Sequence, residues 1–254
     1  MNDSLSGLGV LVTRPAHQSE NFLSLLRQSG AEAFALPAVE IQAITLSQTT
    51  LCYLQQQASY HVIIFISANA VRFGLPLLQK TTGPLVAAIG NGTAANLNAE
   101  GWQVDLIAST GHSSEDILAL DALQSAAITG KSILIIRGEG GREFLAKSLQ
   151  SRGANVDYAE VYRRVCPQSD IEWLAPLWQQ RIQLVCVTSN VILENLYKML
   201  QPYRNALLNT TLVVPGQRCW QLAQQLGFKK IIQSDSASDQ DMLQSIMHWH
   251  QKVL

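Results

Sequence analysis

Short aliphatic runs alternate with longer amphipathic segments along most of the chain. The run Ile-Leu-Ile-Ile at residues 133–136 is one example, and four apolar residues in a row are typical of a strand that is buried on both faces. The run leads into Arg-Gly-Glu-Gly-Gly-Arg, after which apolar residues recur at helical spacing from Phe144 to Leu149 and stop before Gly153. The pattern predicts a strand, a glycine turn and a helix in succession.

The glycine turn of this unit leaves two interpretations open. Its glycines are Gly138, Gly140 and Gly141, and Glu143 stands where a dinucleotide fingerprint would have its last glycine. No Gly-Lys-Ser or Gly-Lys-Thr sequence follows, which excludes a Walker loop. The turn either presents free backbone N–H groups to an anion at the start of the helix, or it only allows the helix and the strand to pack closely.

The chain contains two copies of the same arrangement of elements. The segment that starts at residue 10 aligns without a gap with the one that starts at residue 133, so that Arg14 matches Arg137 and both helices end at a glycine. Two further pairs of strand, turn and helix follow in the same order, starting at residues 62 and 184 and at residues 86 and 212. Three ordered pairs indicate an internal duplication.

Repeated strand, turn and helix units predict an α/β protein with two similar parallel-sheet domains flanked by helices. Segments 35–41 and 159–167 occupy equivalent places in the two copies, so we expect them to form a two-stranded linker. The first domain then joins residues 1–38 to residues 167–254, and the second covers residues 39–166. Such a linker predicts a hinge about which the two domains open around a cleft.

Residues of the strand-to-helix turns are candidates for ligand contacts, because ligands of parallel sheets bind at the carboxyl ends of the strands. The candidates are Arg14, Ser67, Gly90, Arg137, Ser189 and Gly216. Serine and glycine are also favoured at such turns as helix caps, whatever the function. Capping is therefore the alternative for each of these serines and glycines.

Composition and charge exclude some classes of binding partner for the protein. The 254 residues are 47% hydrophobic and 15% charged, with a formal net charge of −1, and they contain no block of Lys or Arg. We therefore expect neither nucleic acid nor a membrane as a partner.

The sequence shows no secretory leader and no apolar run near the roughly 18 residues of a membrane span, which favours the cytoplasm. The cysteines are scattered without C-x-x-C spacing, which favours buried thiols and predicts no metal site.

Seven motifs follow one another along the chain: VLVTRP, SANAV, IGNGTAANL, LIIRGEGGRE, GANVDYAEVYRR, VTS and LAQQLGF. This ordered set resembles the uroporphyrinogen-III synthase family, and R-G-x-G-G-R-E with V-Y-R-R is its most specific part. The resemblance implies an enzyme that closes hydroxymethylbilane, a linear tetrapyrrole with eight carboxylates, to uroporphyrinogen III with loss of water and inversion of the last pyrrole ring. It implies no metal and no organic cofactor. We expect a monomer, and its expected protein contact is a transient one with the enzyme that makes hydroxymethylbilane.

The resemblance also implies a general acid, Tyr162 in V-Y-R-R. Loss of water requires a proton on the leaving hydroxyl, and a phenol is protonated at neutral pH. The alternative is a tyrosine that packs at the linker with its hydroxyl satisfied by the backbone.

Several residues at matching positions would bind the substrate carboxylates. Arg14, Arg137 and Arg142 suit bidentate contacts because the guanidinium group is planar and permanently charged, although each could instead be a surface residue or an internal ion-pair partner. Gly138 and its neighbours would supply backbone N–H donors. The family pattern places at the cleft the further residues Ser67, Ala68, Asn69 and Thr93, of which the two hydroxyl residues are also plausible helix caps.

The second copy of the G-N-G-T turn departs from that form. It reads PGQRCW from residue 215, with Cys219 where the first copy has Thr93, so no hydroxyl role is carried onto it. Arg218 beside it is either a carboxylate contact or a solvated surface residue.

A second hypothesis is a non-catalytic binder for a polyanionic or sugar-like ligand, because twin α/β domains on a two-stranded hinge also describe that class of protein. The isomer of uroporphyrinogen that accumulates in the presence of the protein would separate the two hypotheses.

Overall fold

A computed structural model describes residues 4–108, 113–141 and 143–253. Its strands are β1 (Gly9–Val12), β2 (Glu32–Ala35), β3 (Glu40–Ala43), β4 (Val62–Phe65), β5 (Leu85–Ala88), β6 (Leu106–Ile107), β7 (Ser132–Gly138), β8 (Asn155–Val165), β9 (Ile182–Cys186), β10 (Thr211–Pro215) and β11 (Ile231–Ser234). Its α-helices are α1 (Ala16–Gln28), α2 (Gln48–Gln55), α3 (Ala68–Gly74), α4 (Asn91–Ala99), α5 (Ser114–Leu118), α6 (Ser125–Ile128), α7 (Phe144–Ser151), α8 (Leu174–Gln180), α9 (Asn190–Met199), α10 (Arg204–Asn209), α11 (Gly216–Gln225) and α12 (Asp239–Val253).

The chain divides into two compact units. The terminal unit consists of residues 1–40 and 165–254, and the central unit consists of residues 41–164. The chain therefore passes from one unit to the other within β3 and again near the end of β8, and these two strands are neighbours in one sheet.

The terminal unit contains a sheet in the order β11-β10-β9-β1-β2, and all its pairings are parallel. Strand β1 is buried along its whole length, as its aliphatic sequence predicts for a strand covered by helices on both faces. One face of the sheet contributes Val10, Val12, Leu184 and Val213 to a core that also contains Phe22 of α1 and Met242 of α12.

The central unit contains a sheet in the order β3-β8-β7-β4-β5-β6, in which β8, β7, β4, β5 and β6 pair in parallel. Successive residues of β4 point into two different cores, because side chains alternate across a strand. Ile63 and Phe65 lie in one core, and Val62 and Ile64 lie in the other. The prediction of parallel sheets flanked by helices is confirmed.

A register shift in β8 changes which way its side chains point. Strand β8 pairs residue by residue with β7 as far as Arg137 opposite Glu160, and then Gly138 pairs with Tyr162. One extra residue in β8 is a β-bulge, which interrupts the regular alternation of faces. Tyr162 consequently packs in the same core as Ala159, whereas Tyr158 packs against the opposite one.

Among the described residues, no helix combines the length and the apolar character that crossing a bilayer requires.

Candidate functional site

A cavity of about 370 Å³ lies at the carboxyl ends of the strands of the central unit. Both apolar and polar residues line it. The lining residues are Ile66, Ile89, Ser113, Ser114, Ile135, Arg137, Gly138, Gly140, Gly141, Leu145, Tyr158 and Arg164. The volume lies at the lower end of the roughly 300–1,000 Å³ that is usual for ligand pockets.

The glycine turn encloses Arg137 instead of exposing it. Arg137 belongs to β7 itself, and its side chain is 4% exposed. Gly140 and Gly141 both have positive φ angles, 68° and 100°, which favour glycine. A Cβ on Gly141 would lie 2.9 Å from Nη2 of Arg137, so a side chain at this position would have to displace the end of the guanidinium group.

The charge of Arg137 is compensated by two carboxylates and an aromatic ring. Its Nη1 lies 3.3 Å from Oε1 of Glu143, its Nε lies 3.8 Å from Oε1 of Glu160, and its guanidinium carbon lies 4.4 Å from the centroid of the Tyr158 ring. Its Nε also donates a hydrogen bond to the carbonyl oxygen of Gly138 at 3.2 Å. Arg137 is thus held as an internal ion-pair partner that still lines the cavity.

Tyr158 completes a pair of donors around one carboxylate. Its hydroxyl donates to Oε2 of Glu143 at 3.2 Å, while Arg137 contacts the other oxygen of the same group. Burial raises the pKa of Tyr158, and the carboxylate of Glu143 raises it further, against the opposing effect of Arg137. The phenol therefore stays protonated and serves as a donor.

Tyr162 is fully buried on β8, in the core on the other face of the sheet from Tyr158, and it does not line the cavity. Its hydroxyl accepts a hydrogen bond from Nη2 of Arg164 at 3.1 Å and shares another with Oγ of Ser67 at 3.1 Å. Its ring lies on Gly138, where a Cβ would be 2.5 Å from Cε2, and 5.8 Å from the ring centroid of Phe73. The hydroxyl is therefore satisfied by side chains and not by the backbone.

Arg164 connects Tyr162 to the cavity. It is exposed, it lines the cavity, and its guanidinium carbon lies 5.3 Å from the centroid of the Tyr162 ring. Arg164 is thus the residue that both lines the cavity and contacts the phenolic hydroxyl.

The S-A-N turn combines capping with the contact to Tyr162. Ser67 is the N-cap of α3, and its Oγ accepts a hydrogen bond from the backbone N–H of Ala70 at 3.1 Å. Ala68 opens the helix, and Asn69 is buried with 8% exposure. Capping and a role at the site are thus compatible for Ser67.

The G-N-G-T turn follows the neighbouring strand β5. Gly90 is the N-cap of α4, and Thr93 is the third residue of that helix and is 6% exposed. Thr93 is therefore not a helix cap, and its hydroxyl is largely enclosed.

In the terminal unit, an open depression of about 340 Å³ lies beyond β9 and β10. Ser189 and Arg218 both line it, and Gly216, which opens α11 with a φ of 71°, follows β10 directly. Ser189 caps α9 by accepting from the N–H of Ile192 at 3.3 Å. Burial raises the pKa of Cys219, which also lines the depression, to about 11, so its thiol stays protonated and is a poor nucleophile.

Arg14 follows β1 in the terminal unit and is committed to internal partners. Its Nη1 forms an ion pair with Asp239 at the start of α12, and its Nη2 donates to the carbonyl oxygen of Ala237 at 2.8 Å. The guanidinium carbon lies 4.8 Å from the centroid of the Phe22 ring. Its Nε is buried and has no hydrogen-bond partner among the described residues. A ligand contact by Arg14 would require it to exchange partners.

In the central unit Arg137 and Gly138 thus line the cavity, Tyr162 packs on Gly138, and Ser67 contacts the hydroxyl of Tyr162. In the terminal unit Ser189 and Arg218 line one depression. Arg142 lies outside the described residues. Within the described part of the chain, no group of three or more His, Cys, Asp or Glu residues is arranged to hold a metal ion.

Sequence reasoning missed three residues of the central cavity: Arg164, Tyr158 and Glu143. Arg164 could have been predicted from the sequence, because residues two apart on a strand share a face and Tyr162 is a candidate. The contacts of Tyr158 and Glu143 depend on the course of the loop between β7 and α7, for which the sequence has no periodic signal.

Comparison with known proteins identifies the family. A family model described as "Uroporphyrinogen-III synthase HemD" matches residues 20–244. The chain belongs to the uroporphyrinogen-III synthase family. It is 32% identical over 247 residues to the uroporphyrinogen-III synthase of Escherichia coli K12, and the alignment covers 94% of this chain and 100% of that protein.

Solved structures of the family share the fold. The uroporphyrinogen-III synthetase of Helicobacter pylori 26695 superimposes with a TM-score of 0.64 at 15% identity, covering 95% of this chain and 99% of that one. A mutant uroporphyrinogen III synthase from Thermus thermophilus superimposes with a TM-score of 0.60 at 16% identity, covering 96% of this chain and 99% of that one. The chain is therefore an enzyme of this family, whose reaction is the cyclisation of hydroxymethylbilane to uroporphyrinogen III. The hypothesis of a non-catalytic binder is wrong.

Proposed function

We propose that the chain carries out this cyclisation with one end of hydroxymethylbilane in the cavity of the central unit. The observation that carries the proposal is the Arg164 side chain, which lines the cavity and also donates to the hydroxyl of Tyr162. A carboxylate of the substrate and the candidate acid would then meet at the same guanidinium group. The family membership supports the reaction, and the geometry supports the place.

The groups around the cavity suit a ligand that is rich in carboxylates. Arg137 and Arg164 provide permanent positive charge, and Tyr158 provides a neutral donor. The turn at Gly140 and Gly141 adds backbone N–H groups near the start of α7. The apolar side chains of the lining, among them Ile66, Ile89 and Leu145, can pack against the face of a pyrrole ring. A cavity of about 370 Å³ holds part of a molecule with four such rings, so we propose that it takes one end.

We propose that Tyr162 donates the proton that the leaving hydroxyl requires. The protonated hydroxyl leaves as water while the pyrrole nitrogen supplies an electron pair, and this step produces an azafulvenium cation. The cation then forms a carbon–carbon bond with the α-carbon of the last pyrrole ring that already carries the methylene bridge. Inversion of the ring breaks the older bond from that carbon to the bridge and forms a bond from the bridge to the free α-carbon of the same ring. The proton that this second carbon loses balances the one that was donated, so the net loss is one water. Because Tyr162 is buried and its hydroxyl is bonded to Arg164 and Ser67, the transfer requires Arg164 to move toward a substrate carboxylate and open the phenol to the substrate.

The candidates of the terminal unit would contact other parts of the substrate. Arg218 is exposed and lines the same depression as Ser189, and the N-terminus of α11 at Gly216 presents backbone N–H groups. These contacts remain predictions, as do the monomeric state, the transient contact with the enzyme that supplies the substrate, and the cytoplasmic location.

Replacement of Arg164 tests the proposed place. We expect Arg164→Gln to lower kcat/KM for hydroxymethylbilane by about tenfold, since a hydrogen bond to a charged group contributes roughly 1.5 kcal/mol. Arg163→Gln is the matched control, because Arg163 is the adjacent exposed arginine and its Nη2 contacts Gln42 at 3.5 Å. The substrate is generated in situ, and the uroporphyrinogen isomers are oxidised and separated by chromatography.

The two parts of the proposal fail in different ways. If only the type I isomer accumulates with the wild-type protein, the reaction itself is excluded. If type III accumulates and Arg164→Gln and Arg163→Gln lower kcat/KM equally, the reaction stands and the cavity is not its place.

A further inference from the structure

The carboxylate of Glu143 already occupies a receptor for a carboxylate in the central cavity. Arg137 Nη1 reaches one oxygen at 3.3 Å, and the hydroxyl of Tyr158 donates to the other at 3.2 Å. Two donors, each bound to a different oxygen of one group, form the geometry with which a protein recognises a carboxylate. The ligand in this receptor belongs to the chain itself.

The receptor is built independently of Glu143. Arg137 is held within β7, with its side chain 4% exposed, its Nε bonded to the carbonyl oxygen of Gly138 and its guanidinium group against the ring of Tyr158. Tyr158 is fixed by β8. Removing the carboxylate of Glu143 would leave both donors in place, directed at the rim of the cavity that they line.

Glu143 itself is held weakly. Its side chain is 53% exposed, both of its hydrogen bonds are longer than 3.0 Å, and among the described residues it makes no capping hydrogen bond at the start of α7. Because the carboxylate of Glu143 reaches solvent although Arg137 does not, water can solvate it on release, so its release costs less than that of a buried carboxylate would.

The balance of charge indicates which carboxylate leaves when a ligand arrives. Arg137 faces both Glu143 and Glu160, so one positive charge is set against two negative ones. Arg164 adds a second positive charge to the cavity lining, but a third carboxylate at Arg137 itself would be repelled by the two already there unless one of them moves away. Glu160 is part of β8, pairs with Arg137 across the sheet and is less exposed, at 39%. Glu143 is therefore the one that can leave.

We infer that Glu143 is an internal competitor for the substrate, whose carboxylate displaces it from Arg137 and Tyr158 on binding. This inference rests on the function proposed above, because it assigns one of the substrate carboxylates to a named pair of donors. Glu143 thereby sets the affinity of the cavity for carboxylates. A ligand carboxylate that binds both Arg137 and Tyr158 can displace Glu143, and one that binds only one of them cannot.

The test measures binding of uroporphyrin, a stable octacarboxylate, by calorimetry, together with the KM for hydroxymethylbilane. Glu143→Gln removes the competing charge, and we expect it to lower both the Kd and the KM by about fivefold, roughly the worth of an exposed ion pair. Glu139→Gln is the matched control, since Glu139 is an exposed glutamate of the same loop and its replacement changes the net charge equally. We expect that control to change the Kd by less than about twofold, because its charge lies outside the receptor.

Tyr158→Phe provides a second arm that does not alter charge. It removes one of the two donors, so we expect it to weaken uroporphyrin binding by about threefold, as for one neutral hydrogen bond, and to reduce the gain from Glu143→Gln when the two are combined.

Equal effects of Glu143→Gln and Glu139→Gln would overturn the inference, because general electrostatics would then suffice. An unchanged or weaker affinity of Glu143→Gln would overturn it as well. In both cases a loss of binding in Arg164→Gln would leave the proposed function standing, whereas a failure of the wild-type protein to bind uroporphyrin would remove the proposed site and the inference together.

Discussion

Replacement of Tyr162 by phenylalanine separates catalysis from packing more directly than any other single change. The substitution removes one oxygen and leaves the ring on Gly138 and beside Phe73. General acid catalysis contributes roughly 10²–10⁴-fold to a rate. Because a phenol is a weak acid and the substrate expels its hydroxyl readily, we expect a loss in kcat of more than about tenfold, at or below the lower end of that range.

The cost in stability is small by comparison. The lost hydroxyl accepts from Arg164 and shares a hydrogen bond with Ser67, which also accepts from the N–H of Ala70. Arg164 is exposed, so water can replace its lost partner. One net hydrogen bond is worth about 0.5–1.5 kcal/mol, against the roughly 5–15 kcal/mol of a typical domain, and the variant should remain folded.

Tyr60→Phe is the matched control for this experiment. Tyr60 is also buried in the central unit, at 6% exposure, and its hydroxyl donates to Oδ2 of Asp157 at 2.9 Å. We expect a similar loss of stability in urea unfolding and a kcat within about twofold of the wild type, since the change again removes one hydrogen bond. Rates are measured in single turnovers with freshly generated hydroxymethylbilane, and the isomers are separated by chromatography.

Two results would refute the reasoning about Tyr162. A Tyr162→Phe enzyme with near-normal kcat would make the tyrosine a packing residue and assign proton delivery elsewhere. An equal loss of kcat in Tyr60→Phe would show that any damage to the core of the central unit slows the reaction.

Two further predictions concern stability. Gly141→Ala should lower the free energy of unfolding by about 1–3 kcal/mol, because the residue has a φ of 100° and its Cβ would lie 2.9 Å from Nη2 of Arg137. Gly140→Ala is the control, because a Cβ on Gly140 would meet no atom within 4 Å. We expect it to cost less free energy of unfolding in the same urea titration. Burial and the neighbouring Asp157 raise the pKa of Tyr60. As the pH rises, the phenol of the unfolded chain therefore loses its proton before that of the folded protein does. The contribution of Tyr60 to stability is complete below about pH 10 and is lost above it. The fall in urea midpoint between about pH 8 and about pH 11 should therefore be smaller in Tyr60→Phe than in the wild type, and equal falls would contradict this assignment.

The elements that local pattern predicts well are the strands and the turns. The aliphatic run at 133–136 lies within β7, and Ser67 and Ser189 cap helices as serines after a strand commonly do. These outcomes depend on a few neighbouring residues, whose periodicity and hydrogen-bonding capacity can be read directly. The parallel sheets follow from the same repetition.

The arrangement of side chains at the cavity could not be obtained in this way. Regular alternation would place Tyr158 and Tyr162 on the same face of β8, but the bulge opposite Gly138 sends them to opposite faces. Arg137 was expected in a turn and instead lies inside β7, beneath a loop that two glycines allow to close over it.

The sequence by itself determined the duplicated α/β architecture and the family, because both are expressed in periodic or ordered patterns along the chain. Only the tertiary structure decided that Arg137 is paired with Glu143 and that the hydroxyl of Tyr162 is held by Arg164 and Ser67. Those contacts depend on strand register and on the path of one loop, and both are set by how whole elements pack and not by the residues next to each site.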